Sequence, residues 1–150
     1  MLTTLDGGYE ISDDPARLDF DAMHAYLSRS YWVPGISMEM VRQSAAGALC
    51  FGLYAPDGPQ IGFARVVTDK VRFAYLSDVY VLEDHRGRGL GKALVGAVMA
   101  HPDVRSVHRM LLHTRDGHGL YRLFGFNDPA SPERIMEWRG GGSRPAPETE

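Results

Sequence analysis

The sequence predicts an α+β fold with α/β/α layers, built on one mixed, largely antiparallel sheet with a single β-α-β crossover at a glycine loop. Three observations predict it. Strand-like stretches at 48–55, 60–69 and 73–83 follow one another with only short connections, the pattern of antiparallel hairpins. The glycine-rich segment "EDHRGRGLGKAL" at 83–94 then leads from the third stretch into an apolar helical run. A further strand, "VHRMLLHT" at 107–114, follows that run. A strand–helix–strand unit of this kind makes a right-handed crossover, which sets strands 73–83 and 107–114 parallel.

The elements are read in chain order. "GYEISDD" (8–14) is a short strand, with Asp13 and Asp14 as caps ahead of Pro15. In "LDFDAMHAYLSRS" (18–30), Leu18, Met23, Tyr26 and Leu27 recur at helical spacing. Pro34 and Gly35 in "YWVPGIS" break that helix. Ser37 caps a second short helix, which carries Met40 and Val41 and stops at Gly47. "ALCFGLYA" (48–55), the turn "PDGP" (56–59) and "QIGFARVVTD" (60–69) form a hairpin. "FAYLSDVYVLE" (73–83) is the long third strand of this group. Beyond the glycine loop, "LVGAVMAHP" (94–102) is helical up to Pro102. "GHGLYRLFGF" (117–126) is a short helix with Asp116 as N-cap and Gly125 as terminator. "ERIMEWRG" (133–140) reads as a last strand. A single domain is expected over 1–140, with the Gly/Pro-rich "GGSRPAPETE" (141–150) as a disordered tail.

Composition narrows the function. A chain of 150 residues with 44% apolar and 23% charged side chains is an ordinary globular domain, long enough to bury a core. Sixteen basic against nineteen acidic side chains leave a formal charge of −3, which argues against nucleic acid or an anionic membrane as partner. No apolar run approaches the roughly twenty residues of a membrane span. The opening "MLTTLDGGYEISDD" has neither the basic nor the apolar region of a secretory signal, so a cytoplasmic protein is expected. Cys50 is the only cysteine, and its flanks "ALCFGLY" make it a buried small hydrophobe. His113 and His118 have no acidic or cysteine partner at ligand spacing, so no metal is expected.

Three phosphate-binding patterns are candidates for the glycine loop. The dinucleotide fingerprint G-x-G-x-x-G fails on spacing, because Gly87, Gly89 and Gly91 give G-x-G-x-G. The P-loop G-x-x-x-x-G-K-[ST] fails at Arg86, where it needs glycine, and at Ala93, where it needs Ser or Thr. The pattern [RQ]-x-x-G-x-[GA] fits Arg86-Gly87-Arg88-Gly89-Leu90-Gly91. Glycines there admit close backbone approach, and a helix N-terminus turns unpaired N–H groups toward an anion. By itself the pattern also suits a plain strand-to-helix turn with a solvated basic rim.

The wider segment "VYVLEDHRGRGLGKALVGAVM", followed by "LLHTRDGHGLYRLFGF", resembles the GCN5-related N-acetyltransferase (GNAT) superfamily, over about residues 48–126. The resemblance implies that family's acyl-CoA N-acyltransferase fold. It also implies transfer of acetyl from acetyl-CoA to a primary amine of a small molecule or peptide, by direct attack in a ternary complex. It assigns the pyrophosphate of acetyl-CoA to Arg86, Gly87, Arg88, Gly89, Leu90 and Gly91, with Lys92 assisting. Val79, Tyr80 and Val81 become the strand that pairs with the pantetheine arm. The motif Y-x-x-x-G-F, here Tyr121 to Phe126, makes Tyr121 the general acid for the departing thiolate. Asp78 and Glu83 are the candidate general bases, with a water relay as the third option. His118 is a candidate coenzyme A contact or a cap. Tyr31, Trp32, Phe73 and Tyr75 are candidate acceptor-lining residues. A homodimer is compatible with the pattern, and a catalytically inactive acyl-CoA-binding sensor or interaction module is the alternative function.

Overall fold

The structure, a computed structural model, describes residues 1–140; the expected tail lies outside the described residues. The chain runs β1 (Leu2–Thr4), β2 (Glu10–Ser12), α1 (Phe20–Leu27), α2 (Met38–Ala46), β3 (Leu49–Tyr54), β4 (Gln60–Thr68), β5 (Phe73–Val81), α3 (Leu90–Ala100), α4 (Pro102–Arg105), β6 (Arg109–Leu112) and α5 (His118–Arg122). The six strands form one sheet in chain order. Neighbours from β1 to β5 are antiparallel, and β5 with β6 is the parallel pair set by the crossover through α3.

Alternation along the central strands decides which helix covers which face. Phe51 and Leu53 of β3, Ala64 and Val66 of β4 and Leu76 of β5 meet Leu90, Leu94 and Val98 of α3 in one buried cluster. Cys50, Phe63 and Tyr80 point the other way. They pack with Met23 and Leu27 of α1 and Val41 and Ala45 of α2. The sheet is therefore sandwiched, with α1 and α2 on one face and α3 on the other. Burial also pushes the Cys50 thiol up to about 11, which keeps it protonated and inert.

Helix ends follow local chemistry. Ser37 accepts from the Met40 amide at 3.1 Å, as its position predicted, and Asp19 caps α1 through the Ala22 amide at 3.0 Å. Asp14 caps the single turn Pro15–Arg17. Asp13 does not; it receives the chain's N-terminal ammonium at 2.7 Å and faces His101 Nε2 at 2.9 Å. Pro102 ends α3, but it also occupies the first turn of α4, where its missing N–H costs nothing. Asp116 is exposed and caps no helix. Thr114 Oγ1 instead accepts from the Gly117 amide at 2.8 Å. Gly125, at φ +90°, closes the α5 region with Phe126 N–H on the Tyr121 carbonyl and Gly125 N–H on that of Arg122.

Two strands differ from expectation. β1 carries no period that could reveal it, since three residues pair with Glu10–Ser12 and bury little. The expected last strand at 133–140 is not formed. Pro132–Arg134 is a single 3-10 turn, and 135–140 belongs to no strand. Strand propensity needs a partner edge to become a strand, and the chain does not lay this segment on its own sheet.

Candidate active site

The site begins where two parallel strands part. Pairing of β5 with β6 runs from Phe73 with Arg109 to Leu76 with Leu112 and then stops. β5 continues through Ser77–Val81 with β4 on one side only, while the chain after Leu112 turns away as His113–Gly117. The opening between them is a cleft of about 950 Å³. It lies at the carboxyl ends of the parallel pair, where such sheets characteristically bind ligands.

A bulge bends β5 at the same place. Phe63 opposes Tyr80 and Arg65 opposes Ser77, so Asp78 and Val79 together face Ala64. Asp78 takes φ +57°, a conformation Asp tolerates better than most side chains. Its carboxylate is buried and accepts from Arg65 Nε at 2.8 Å and from Trp32 Nε1 at 2.8 Å. The acid in an apolar strand thus ties β5 to β4 and to the loop after α1. Both of its oxygens are engaged.

The helix beyond opens on a row of unpaired amides. Gly87 and Gly89 have φ of +80° and +74°, and the chain enters α3 without a side-chain cap. The first helical bond runs from the Ala93 amide to the Gly89 carbonyl at 3.0 Å, which leaves the amides of Leu90, Gly91 and Lys92 without a protein acceptor among the described residues. A Cβ placed on Gly91 meets nothing within 4 Å, so the protein itself does not require glycine there. Arg86 braces the loop: its Nε donates to the Val81 carbonyl at 2.9 Å, and its terminal nitrogen donates to the Tyr26 hydroxyl at 3.1 Å.

Tyr121 enters from α5, between the cleft and a smaller groove beside β6. Burial pushes its phenol up to about 12, with Tyr31 and Asp116 nearby adding to the shift. Its hydroxyl makes no hydrogen bond to a described residue. Gly117 sets its place, because a Cβ there would lie 2.9 Å from Thr114 Oγ1 and 3.0 Å from Tyr121 Cε2. Across the cleft, Arg115 stacks 3.9 Å over the Tyr31 ring, and its amide donates to the Tyr31 hydroxyl at 3.1 Å. Tyr75 and His113 Nδ1 share a hydrogen bond at 2.5 Å.

Glu83 stands outside the cleft in a two-pronged pair with Arg29, at 2.6 and 2.9 Å. That hydrogen bonding holds its carboxyl at about 2, well below the ordinary range. A depressed carboxylate adds stability above its unfolded-state value and loses it as pH falls toward the folded one. Solvent exposure keeps the amount small. A carbon-detected titration should therefore find Glu83 ionised down to about pH 2, and Arg29→Ala should return it toward the ordinary carboxylate range.

Residues 11–126 match the sequence model of the Acetyltransferase (GNAT) family. The chain belongs to the GNAT acetyltransferase family. A GNAT-family protein of Xanthomonas campestris pv. campestris, an acetyltransferase by name, has 44% identity and a TM-score of 0.85 over 88% of this chain and 93% of that one. FG08082 of Gibberella zeae, also an acetyltransferase by name, is 35% identical over 145 residues, 81% of each chain. The ribosomal-protein-S18-alanine N-acetyltransferase of Escherichia coli superposes with a TM-score of 0.66 at 25% identity, over 81% of this chain and 79% of that one.

Of the residues singled out in this GNAT sequence, the cleft brings together Tyr31, Trp32, Tyr75, Asp78, Val79, Tyr80, Val81, Arg86, Gly87, Gly89, Leu90, Gly91 and Tyr121. Arg88 and Lys92 project into solvent outside it, and Phe73 lies at the far end of β5. His118 faces the smaller groove. Within the triplet Val79–Val81, only the backbone edge is offered to the cleft in common; the Tyr80 ring is buried against Tyr26, stacked at 4.0 Å. Sequence reasoning missed Tyr26, Ser77, Thr114 and Arg115, and weighed His113 only as a metal ligand. The available signal was the polar run "HTRDG" directly after a parallel strand, where a sheet's carboxyl end carries its ligand contacts. Among the described residues no helix is long and apolar enough to cross a membrane.

Proposed function

We propose that this GNAT chain transfers acetyl from acetyl-CoA to a primary amine of a small molecule or peptide, by direct attack in a ternary complex. The observation that carries the proposal is that one cleft joins three things: the unpaired amides at the start of α3, the unpaired edge of Ser77–Val81 and the hydroxyl of Tyr121. A diphosphate suits the amide row and the helix dipole behind it. An amide-containing arm suits a strand edge with free N–H and C=O groups. Tyr121, protonated at neutral pH, gives its proton to the thiolate that leaves as the new amide forms.

The amine must lose a proton in the same turnover. Asp78 and Glu83 each have both oxygens bound to Arg65 and Trp32, or to Arg29, so both fit a positioning role better than a base. In this reading the proton passes to water in the open cleft. The side of the cleft bearing Tyr31, Trp32, Tyr75 and His113 then receives the amine.

An amine panel that includes peptides with N-terminal alanine, read by mass shift with thiol release, tests the proposal. An acetylated product formed with release of free coenzyme A is expected. Saturable acetyl-CoA binding with no product from any amine would favour the sensor reading. Gly91→Glu sharpens the cradle assignment, since the pattern itself admits alanine at this position. The new Cβ has room in the protein, and an acidic side chain suits the first turn of a helix, so Tm should hold or rise slightly. Acetyl-CoA affinity should fall by about tenfold or more, roughly 1.4 kcal/mol, because the carboxylate repels the diphosphate from the same amide row. Calorimetry alongside thermal melting checks both.

A further inference from the structure

Three guanidinium groups line the acetyl-transfer cleft, and one of them differs from the other two. Arg29 gives both terminal nitrogens to the Glu83 carboxylate, and Arg86 donates to the Val81 carbonyl and the Tyr26 hydroxyl. The third is Arg115. Its guanidinium carbon lies 3.9 Å from the Tyr31 ring centroid, and its backbone amide donates to the Tyr31 hydroxyl at 3.1 Å. These contacts fix its place, yet its side-chain nitrogens hydrogen-bond no described residue. The nearest carboxylate is that of its chain neighbour Asp116, 3.8 Å away with both side chains well exposed, which is beyond hydrogen-bond reach. A planar fork of N–H donors held over a ring suits a carboxylate.

The walls beside it are aromatic. Tyr31 and Trp32 meet edge to face with centroids 5.1 Å apart, and both are exposed toward the cleft. Asp78 holds the Trp32 indole N–H and Arg115 holds the Tyr31 hydroxyl, so the corner is formed before an acceptor arrives. Tyr75 lines the same cleft with its hydroxyl on His113. A polycation is poorly served here. Asp78 has both oxygens engaged, and Glu137, whose charge reaches Tyr75, is paired with Arg139. Arg29 and Arg115 already lie over the Tyr26 and Tyr31 rings, where they repel a further cation. The corner is also close to the reacting atoms. Tyr31 and Asp116, which Arg115 contacts, are the groups that act electrostatically on the Tyr121 phenol. An anion on Arg115 and an amine beside Tyr121 therefore fit one small molecule.

We infer, resting on the acetyl-transfer reading above, that the acceptor is an aromatic α-amino acid, with its carboxylate on Arg115 and its ring in the Tyr31–Trp32 corner. The chemistry is unaltered. The α-nitrogen bonds to the acetyl carbon, the carbon–sulfur bond breaks, the thiolate takes the Tyr121 proton, and the amine proton leaves to water.

Transfer and binding test this separately. With acetyl-CoA saturating, L-phenylalanine should exceed L-phenylalaninamide, phenethylamine and L-alanine in kcat/KM by about tenfold or more. The amide has a less basic amine, more of it unprotonated at neutral pH, so amine basicity does not produce that order. Arg115→Gln should erase the advantage over the amide, chiefly through KM, and Arg115→Lys should restore part of it. Acetyl-CoA affinity and the thermal melt should stay near wild type in both variants, because this side chain is exposed and lies outside the amide row. Calorimetric titration of L-phenylalanine into the chain saturated with coenzyme A reads recognition without turnover. Saturable binding that Arg115→Gln weakens by about tenfold or more is expected. If phenylalanine binds in this way but is not acetylated, the acetyl-transfer reading fails and the recognition stands. Phenylalanine that neither binds nor reacts, an amide or L-alanine that matches it, or an unchanged preference in Arg115→Gln overturns the inference.

Discussion

Tyr121→Phe lowers acetyl transfer by about 10²–10⁴-fold, the usual contribution of a positioned proton donor. Acetyl-CoA affinity stays close to wild type, because the ring and its packing against Phe126 are kept and the hydroxyl bonds no described residue. Burial lifts the phenol to about 12, so the acid form persists through the neutral and moderately alkaline range. The pH profile of kcat should accordingly show no downward limb from this group below about pH 11. Gly117→Ala should lower kcat through the same residue, since its methyl would crowd both Thr114 and the Tyr121 ring. Thr114→Ser on that background keeps the hydroxyl that accepts from the Gly117 amide and that the methyl would crowd, so it should recover little; the Tyr121 ring contact at 3.0 Å remains as well. A fall in acetyl-CoA affinity equal to the loss of rate in Tyr121→Phe would mean that the hydroxyl serves binding and not chemistry.

Asp78→Ala produces the largest loss of stability expected of any single change here, about 3–5 kcal/mol. Removing the carboxylate strands the Arg65 guanidinium, whose side chain is 18% exposed, and orphans the Trp32 indole N–H. Alanine also fits φ +57° poorly. For a domain of this size the Tm should drop by roughly 10–15 °C. Asp78→Asn keeps an acceptor for one of the two donors and tolerates the left-handed conformation, so it should lose less. The pair Arg65→Met with Asp78→Ala separates the charge from the shape. If the stranded cation carries the cost, the double variant is more stable than Asp78→Ala alone. Chemical denaturation of the three variants measures the order.

Much of this was legible in the residues, for identifiable reasons. β3, β4 and β5 are long and apolar with turns between them, so their antiparallel order could be read directly. The glycine loop could be read as a strand-to-helix turn because the left-handed backbone at Gly87 and Gly89 demands glycine there. Asp78 was visible as an anomaly, but its partners were not. Trp32 and Arg65 come from other elements, and only the bulge at Asp78–Val79 brings them to one carboxylate. Glu83 was likewise read without Arg29, which lies far from it in sequence. The segment at 133–140 shows the opposite failure: its pattern is strand-like, yet pairing depends on an edge that local sequence does not supply.

The central claim is that the start of α3 and the free edge of β5 form one acetyl-CoA site. Calorimetric titration of acetyl-CoA into the wild type and Gly91→Glu, side by side, tests it most directly. Saturable binding of one molecule per chain by the wild type, weakened in the variant without loss of folding, is the predicted result. No binding by the wild type, or equal binding by both proteins, would contradict it.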